Sequence, residues 1–237
     1  MKFSFAKKLL LVVAAALVCA IPSAFADTTA YMYMTSAGNN VMDGIYVGPY
    51  TANITPTGGV TQNNVSIICD DFSDESYVNS GWTATVHSFT AQGLSQSAWA
   101  TLFPQNYVTL YEEAAWLAIQ MLQQPSGSQG IYSYAVWAIF NPTGVQQWLK
   151  NDPQTWAAVQ SLIKTVQGMA GNFSLSQFAN VLIYTPKCSN GAAGSCQSQE
   201  FFVVQTPEGG TALAYLLLAG LSCMLAMRFR VRRGHVA

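Results

Sequence analysis

The chain has 237 residues, 51% of them hydrophobic and only 9% charged, and a formal net charge of −1. That total hides an uneven split, because seven of the ten basic residues lie in the two end segments. Over residues 27–205 three lysines (Lys150, Lys164, Lys187) face ten acids, a net −7 with no arginine, which excludes a nucleic-acid binder since phosphate neutralisation needs Lys and Arg.

Lys2, Lys7 and Lys8 precede an apolar run over 9–21, too short for a comfortable membrane anchor. Ala24-Phe25-Ala26 then places small residues at Ala24 and Ala26, the two positions a signal peptidase inspects. Residues 1–26 are therefore expected to be a signal peptide, cleaved before Asp27. Cys19 follows Val18, not a small residue, so lipidation is not expected.

The first third of the body carries strand patterns. They cover 31–34, 44–47, 50–54, 65–69 and 82–89, with turns at Gly48-Pro49 and Thr57-Gly58-Gly59. The pattern then changes to helical spacing over 107–124, which ends before Pro125. A Ser/Gly loop is expected over 126–130, followed by a helix over 131–140 that has little polar face and should be buried. Asn151-Asp152-Pro153 supplies a cap and a first-turn proline for a helix over 154–169. Strand character returns at 178–184 and 199–204. Strands, helices and strands again predict one α+β domain over 27–205, an antiparallel sheet or small barrel with a helical insertion.

The chain closes on an uncharged, mostly apolar run over 211–227, followed by Arg228, Arg230, Arg232 and Arg233. At helical rise the run spans a thin hydrocarbon core, and the arginines hold its far end in the cytoplasm. The expected localisation is export, with passage through the inner membrane to the cell surface or exterior of a Gram-negative-type envelope.

Pro207-Glu208-Gly209-Gly210, the apolar run and the terminal arginines resemble the PEP-CTERM sorting signal of bacterial envelope proteins. Residues 206–237 are then a sorting tail, with Gly209-Gly210 where the commonest version has Pro and a small residue. The resemblance implies processing by an exosortase, after signal peptidase has acted at the other end, and release or attachment at the surface. An ordinary single-pass anchor is the plainer reading.

Cys19 leaves with the signal and Cys223 lies in the apolar run, so the exported body holds three cysteines. Cys188 and Cys196 flank a short Ser/Gly/Ala loop and are expected to pair as a disulfide in an oxidising compartment. Cys69 is then left over, and an odd cysteine in an exported protein is either buried and inert or chemically employed.

Its surroundings resemble the surface thioester domains of bacterial adhesins. Ile68-Cys69-Asp70-Asp71-Phe72 is similar to the family's cysteine element. Glu112-Glu113-Ala114-Ala115-Trp116-Leu117 is similar to its preceding helix, and Tyr134-Ala135-Val136-Trp137-Ala138-Ile139-Phe140 to its Ala-Ile-Trp helix, over most of residues 41–142. The resemblance implies a Cys–Gln thioester that captures amines. Four residues before Trp137, however, stands Ser133, and a hydroxyl cannot supply the carboxamide carbon. Gln120 and Gln129 are out of phase with that position. The expectation is a thioester-domain-like scaffold in which Cys69 is a small buried apolar residue. A live Cys69 thioester is the covalent-adhesin alternative, and a disulfide from Cys69 to Cys188 or Cys196 lies between the two.

Other chemistry is sparse. Asp70, Asp71, Asp74 and Glu75 form the densest acidic cluster, a calcium candidate without the alternation and glycine of an EF-hand loop, and equally a solvated turn. Glu112 and Glu113, adjacent on a helix, should point apart, one capping or paired and the other solvated. His87, on a strand, has no nucleophile elbow beside it, so an envelope hydrolase ranks last. No zinc spacing, phosphate loop or dinucleotide fingerprint occurs, and no cofactor is expected. The six tryptophans read mostly as core, with a sugar-stacking platform as the other use. Taken together, the sequence points to a non-enzymatic exported surface or matrix protein contributing to adhesion or biofilm, with extracellular polysaccharide or a surface ligand as partner.

Overall fold

The structure, a computed structural model, describes residues 28–187 and 198–205. The signal peptide, the Cys188–Cys196 pairing and the sorting tail with its apolar run lie outside the described residues. Among those described, no helix is long and apolar enough to cross a membrane.

Of the two strand architectures expected, the barrel is the one formed. β1 (Thr28–Ser36), β4 (Tyr50–Pro56), β5 (Gln62–Cys69), β6 (Gly81–Ser88), β7 (Val181–Pro186) and β8 (Phe201–Val204) close in the order β1-β4-β5-β8-β7-β6. Every neighbouring pair is antiparallel. Closure removes the sheet edges that an open antiparallel sheet would expose. The 44–47 segment is not part of it. β2 (Val41–Met42) and β3 (Ile45–Tyr46) form a separate hairpin around Asp43 and Gly44, both at positive φ. That is the backbone a two-residue Asp-Gly turn requires.

Strand periodicity fills the barrel. Ala30, Met32 and Met34 of β1 pair with Ile54, Ala52 and Ala84 of the flanking strands or lie beside them, and all are buried. The alternate residue Tyr31 is half exposed. On the other side the alternation stops. Val181 to Tyr184 and Phe201 to Val203 are buried without a break, and the helical insertion packs against β8, where Tyr111 meets Phe202 edge to face.

The insertion runs from α1 (Ala91–Leu94) and α2 (Ala98–Leu102) through α3 (Tyr107–Leu122), α4 (Ser126–Phe140), α5 (Pro142–Trp148) and α6 (Pro153–Met169). The two short helices fill the stretch between β6 and α3, which carries no sequence pattern of its own. The expected loop over 126–130 is instead the first turn of α4. Pro125 supplies an extended cap position, and Gly130 is buried against Met42 and Val47 of the hairpin. Tertiary packing here overrides the weak helix propensity of Ser and Gly. α4 is buried from Ser133 to Phe140, as its lack of a polar face predicts. α6 starts as expected, with the Asp152 carboxylate accepting from the Thr155 N–H at 3.1 Å and Pro153 in the first turn. After a short 3-10 turn at Leu175–Phe178, β7 begins three residues later than expected, and β8 begins two later.

Candidate functional site

Cys69 is the last residue of β5. Its register with Phe201, and that of Ile67 with Tyr50, put it on the barrel-lining face with both aromatic rings. Tyr50 and Phe201 meet edge to face at 6.3 Å. α4 crosses this mouth of the barrel. Its Trp137 indole lies beside the sulfur, close enough to favour the thiolate slightly but short of hydrogen-bonding geometry, since Nε1 is buried without an acceptor. Tyr134 packs edge to face on Trp137 at 5.3 Å and donates its hydroxyl to the Met42 carbonyl at 2.9 Å.

The thiol is free and 2% exposed. It donates to the Asp71 carbonyl at 3.0 Å and receives the Asp71 N–H at 3.3 Å. Burial, then the neighbouring Asp70 and Asp71 carboxyls, push its pKa well above the usual thiol value. A protonated, enclosed sulfur is a poor nucleophile. The proximity of the cysteine element to Trp137 is as the sequence resemblance implies. Ser133 does not complete a bond to it. Its hydroxyl is directed to the Gly48 carbonyl at 3.4 Å and to Met121 Sδ at 3.9 Å. Nor does either glutamine stand in. Gln129 donates to the Met121 and Gln124 carbonyls and accepts from Asn40, which ties down the α3–α4 turn, and Gln120 belongs to α3.

Of the four acids after Cys69, weighed above as a calcium candidate or a solvated turn, three are turned in different directions. Asp70 points inward and is fully buried. Asp71 Oδ1 accepts the Ser73 and Asp74 N–H groups at 2.7 and 3.3 Å, an Asx turn, and burial raises its pKa to about 6. Glu75 turns out to solvent and accepts from the Tyr77 hydroxyl at 2.6 Å. Among the described residues no group of His, Cys, Asp and Glu side chains is placed to hold a metal ion.

Glu112 and Glu113 depart from expectation, since both residues are buried, at 8% and 4% exposed. Glu113 Oε2 has no hydrogen-bond partner, and burial followed by the charge of Glu112 raises its pKa to about 7. His87 is buried on β6 opposite Ile183. Of the tryptophans, Trp82 stacks on Phe201 and Trp99 on Phe140, as core residues. Trp148 differs. It is 47% exposed, with Nε1 donating to the Asp43 carbonyl at 3.2 Å and its ring edge-on to Phe72.

Sequence reasoning missed Glu200. It precedes β8, is 1% exposed, and gathers donors from three elements: Tyr111 of α3, Thr185 of β7, and the Ala98 N–H of α2 at 2.9 Å. The Asp70 N–H donates to its carbonyl at 3.3 Å, so the two acids stand opposite one another across the β5–β8 seam. A signal was present, because each acid directly adjoins an apolar strand run. The pairing itself depends on register.

No protein-family profile matches the chain, and no curated protein matches it significantly. Among solved structures it is similar to the N-terminal domain of the Streptococcus pyogenes pilus tip adhesin Cpa, at 13% identity and a TM-score of 0.41. The match covers 78% of this chain and 97% of that one.

Proposed function

We propose that this chain is an exported, non-enzymatic surface or matrix protein whose barrel and helical insertion form a thioester-type scaffold without the thioester. The observation that supports it most directly is the state of Cys69: a buried thiol bonded to Asp71, with Ser133 hydrogen-bonded elsewhere at the position where a carboxamide would be needed. Attachment to a partner is then non-covalent. The exported location rests on the signal-like start and on the apolar, arginine-ended tail. Recognition of that tail by an exosortase, and contact with extracellular polysaccharide or another surface ligand, belong to the same proposal.

Intact-mass measurement of the secreted protein, with and without a thiol-blocking reagent, tests it. The expected result is a mass that lacks no ammonia, no adduct with methylamine, and a Cys69 that is blocked only after denaturation. A mass short by one ammonia, with methylamine capture that disappears in Cys69→Ala, would establish the covalent alternative and overturn the proposal.

A further inference from the structure

The Asp70–Glu200 contact is a buried meeting of two acids. Glu200 Oε1 accepts from the Tyr111 hydroxyl, and Oε2 accepts from Thr185 and the Ala98 N–H. Three donors from three elements thus already point at the Glu200 carboxylate. Asp70, opposite it, is completely buried, and neither of its oxygens receives a protein donor. Two carboxylates in this position would both be acceptors, and like charges directly opposite on paired strands repel. One proton resolves the contact: Asp70 carries it and donates across the seam to Glu200.

We propose that Asp70 and Glu200 share a single proton across the β5–β8 seam, and that its loss at alkaline pH loosens the helical insertion from the barrel. The connectivity makes the link. Glu200 is the point at which β7, α2 and α3 are fastened to the seam, so a second negative charge there acts on all three. The Tyr111 hydroxyl extends the chain by accepting the Trp99 N–H at 3.2 Å.

Among the described residues, the groups that act on the Asp70 carboxyl are acidic, while His87 and Lys187 lie further along the β6–β7 pair. Asp71 and Cys69 adjoin Asp70 on its own segment, and Tyr111 faces the pair from α3. All three become negative on ionisation. His87 of β6 lies on the same sheet face as Thr185, two cross-strand pairs further along, by the register Thr85↔Thr185 and His87↔Ile183. Burial, followed by the charge of Glu200, raises the Asp70 pKa well above its usual value. The sign follows: above the unfolded value of 3.8 the native state holds a proton that the unfolded state has released. Stability from this pair is therefore complete below that value and declines as pH rises towards the native one.

Infrared spectra and thermal melts of the purified full-length chain test the proposal. At about pH 8, where Asp71 and Glu113 are largely ionised, the wild type should retain the carbonyl band of a buried protonated acid. Asp70→Asn should remove the band, and Asp71→Asn should keep it. Between about pH 7 and pH 9 the wild-type melting temperature should fall by roughly 5 °C more than that of Asp70→Asn. Glu200→Gln removes the opposing charge but not the burial, so it should bring the loss of the band to lower pH than in the wild type, and the test survives if Asp70→Asn fails to fold. Absence of the band in the wild type, its persistence in Asp70→Asn, an unshifted pH dependence of the band in Glu200→Gln, or equal pH slopes in wild type and Asp70→Asn would overturn the proposal.

Discussion

At position 133 the packing has closed around a hydroxyl. Ser133 is 2% exposed, between Gly48 and Met121, and its two hydrogen bonds are long. Ser133→Ala should therefore cost little, about 0.5–1 kcal/mol. Ser133→Gln restores the residue type that the thioester resemblance calls for, yet it pushes a longer amide into a filled site. It should destabilise by about 1–3 kcal/mol in chemical denaturation and should produce no loss of ammonia. Cys69 and Trp137 were legible at this scale because each sits in a local pattern that the sequence displays directly. Glu200 was not. Its meaning comes from Asp70, far away in the chain, and only the β5–β8 register brings the two together.

Helices and strands announced themselves where one periodicity held over several turns, as in α3 and α6, or over a whole strand, as in β6. The misses have packing causes. Residues 126–130 have loop composition, but Gly130 must be small because the β2–β3 hairpin rests on it. A Cβ there would meet Val47 Cγ2 at 3.0 Å and Met42 Sδ at 3.1 Å. Gly93 in α1 is a sterner case, since its Cβ would lie 2.2 Å from the Ser88 carbonyl oxygen. The two glycines should respond differently to alanine. At Gly130 the obstacles are side-chain ends that can yield, and the gain in helix propensity, about 1 kcal/mol, offsets most of the cost. At Gly93 the obstacle is backbone, so Gly93→Ala should cost at least about 2 kcal/mol. Denaturation midpoints of the two variants, measured side by side, check the contrast; equal effects would refute it.

Across the whole molecule, the order of strands, helices and strands already implied an α+β domain, whereas closure of the barrel depended on pairing that no local pattern encodes. Net acidity was equally legible, but its distribution was not: Asp70, Asp71, Glu112, Glu113 and Glu200 are all buried. That placement sets how the molecule answers to pH. Glu113 titrates at about 7 against 4.5 for the free side chain, and Asp71 at about 6 against 3.8, in each case chiefly because burial disfavours the charge. Raised carboxyl values mean that the native state binds more protons than the unfolded state between the two limits, so stability declines as pH rises through this range. The stability maximum should accordingly lie on the acid side of neutrality. From about pH 5 to pH 8 these two groups should lower the unfolding free energy by on the order of 2 kcal/mol once solvent screening is allowed for, in addition to the decline from Asp70. The double variant Glu113→Gln, Asp71→Asn should reduce that slope without abolishing it, because the decline that belongs to Asp70 and Glu200 runs through the same range and continues to higher pH. Urea denaturation across the range measures the difference in slope, and a double variant with the wild-type slope would show that Glu113 and Asp71 do not contribute to it.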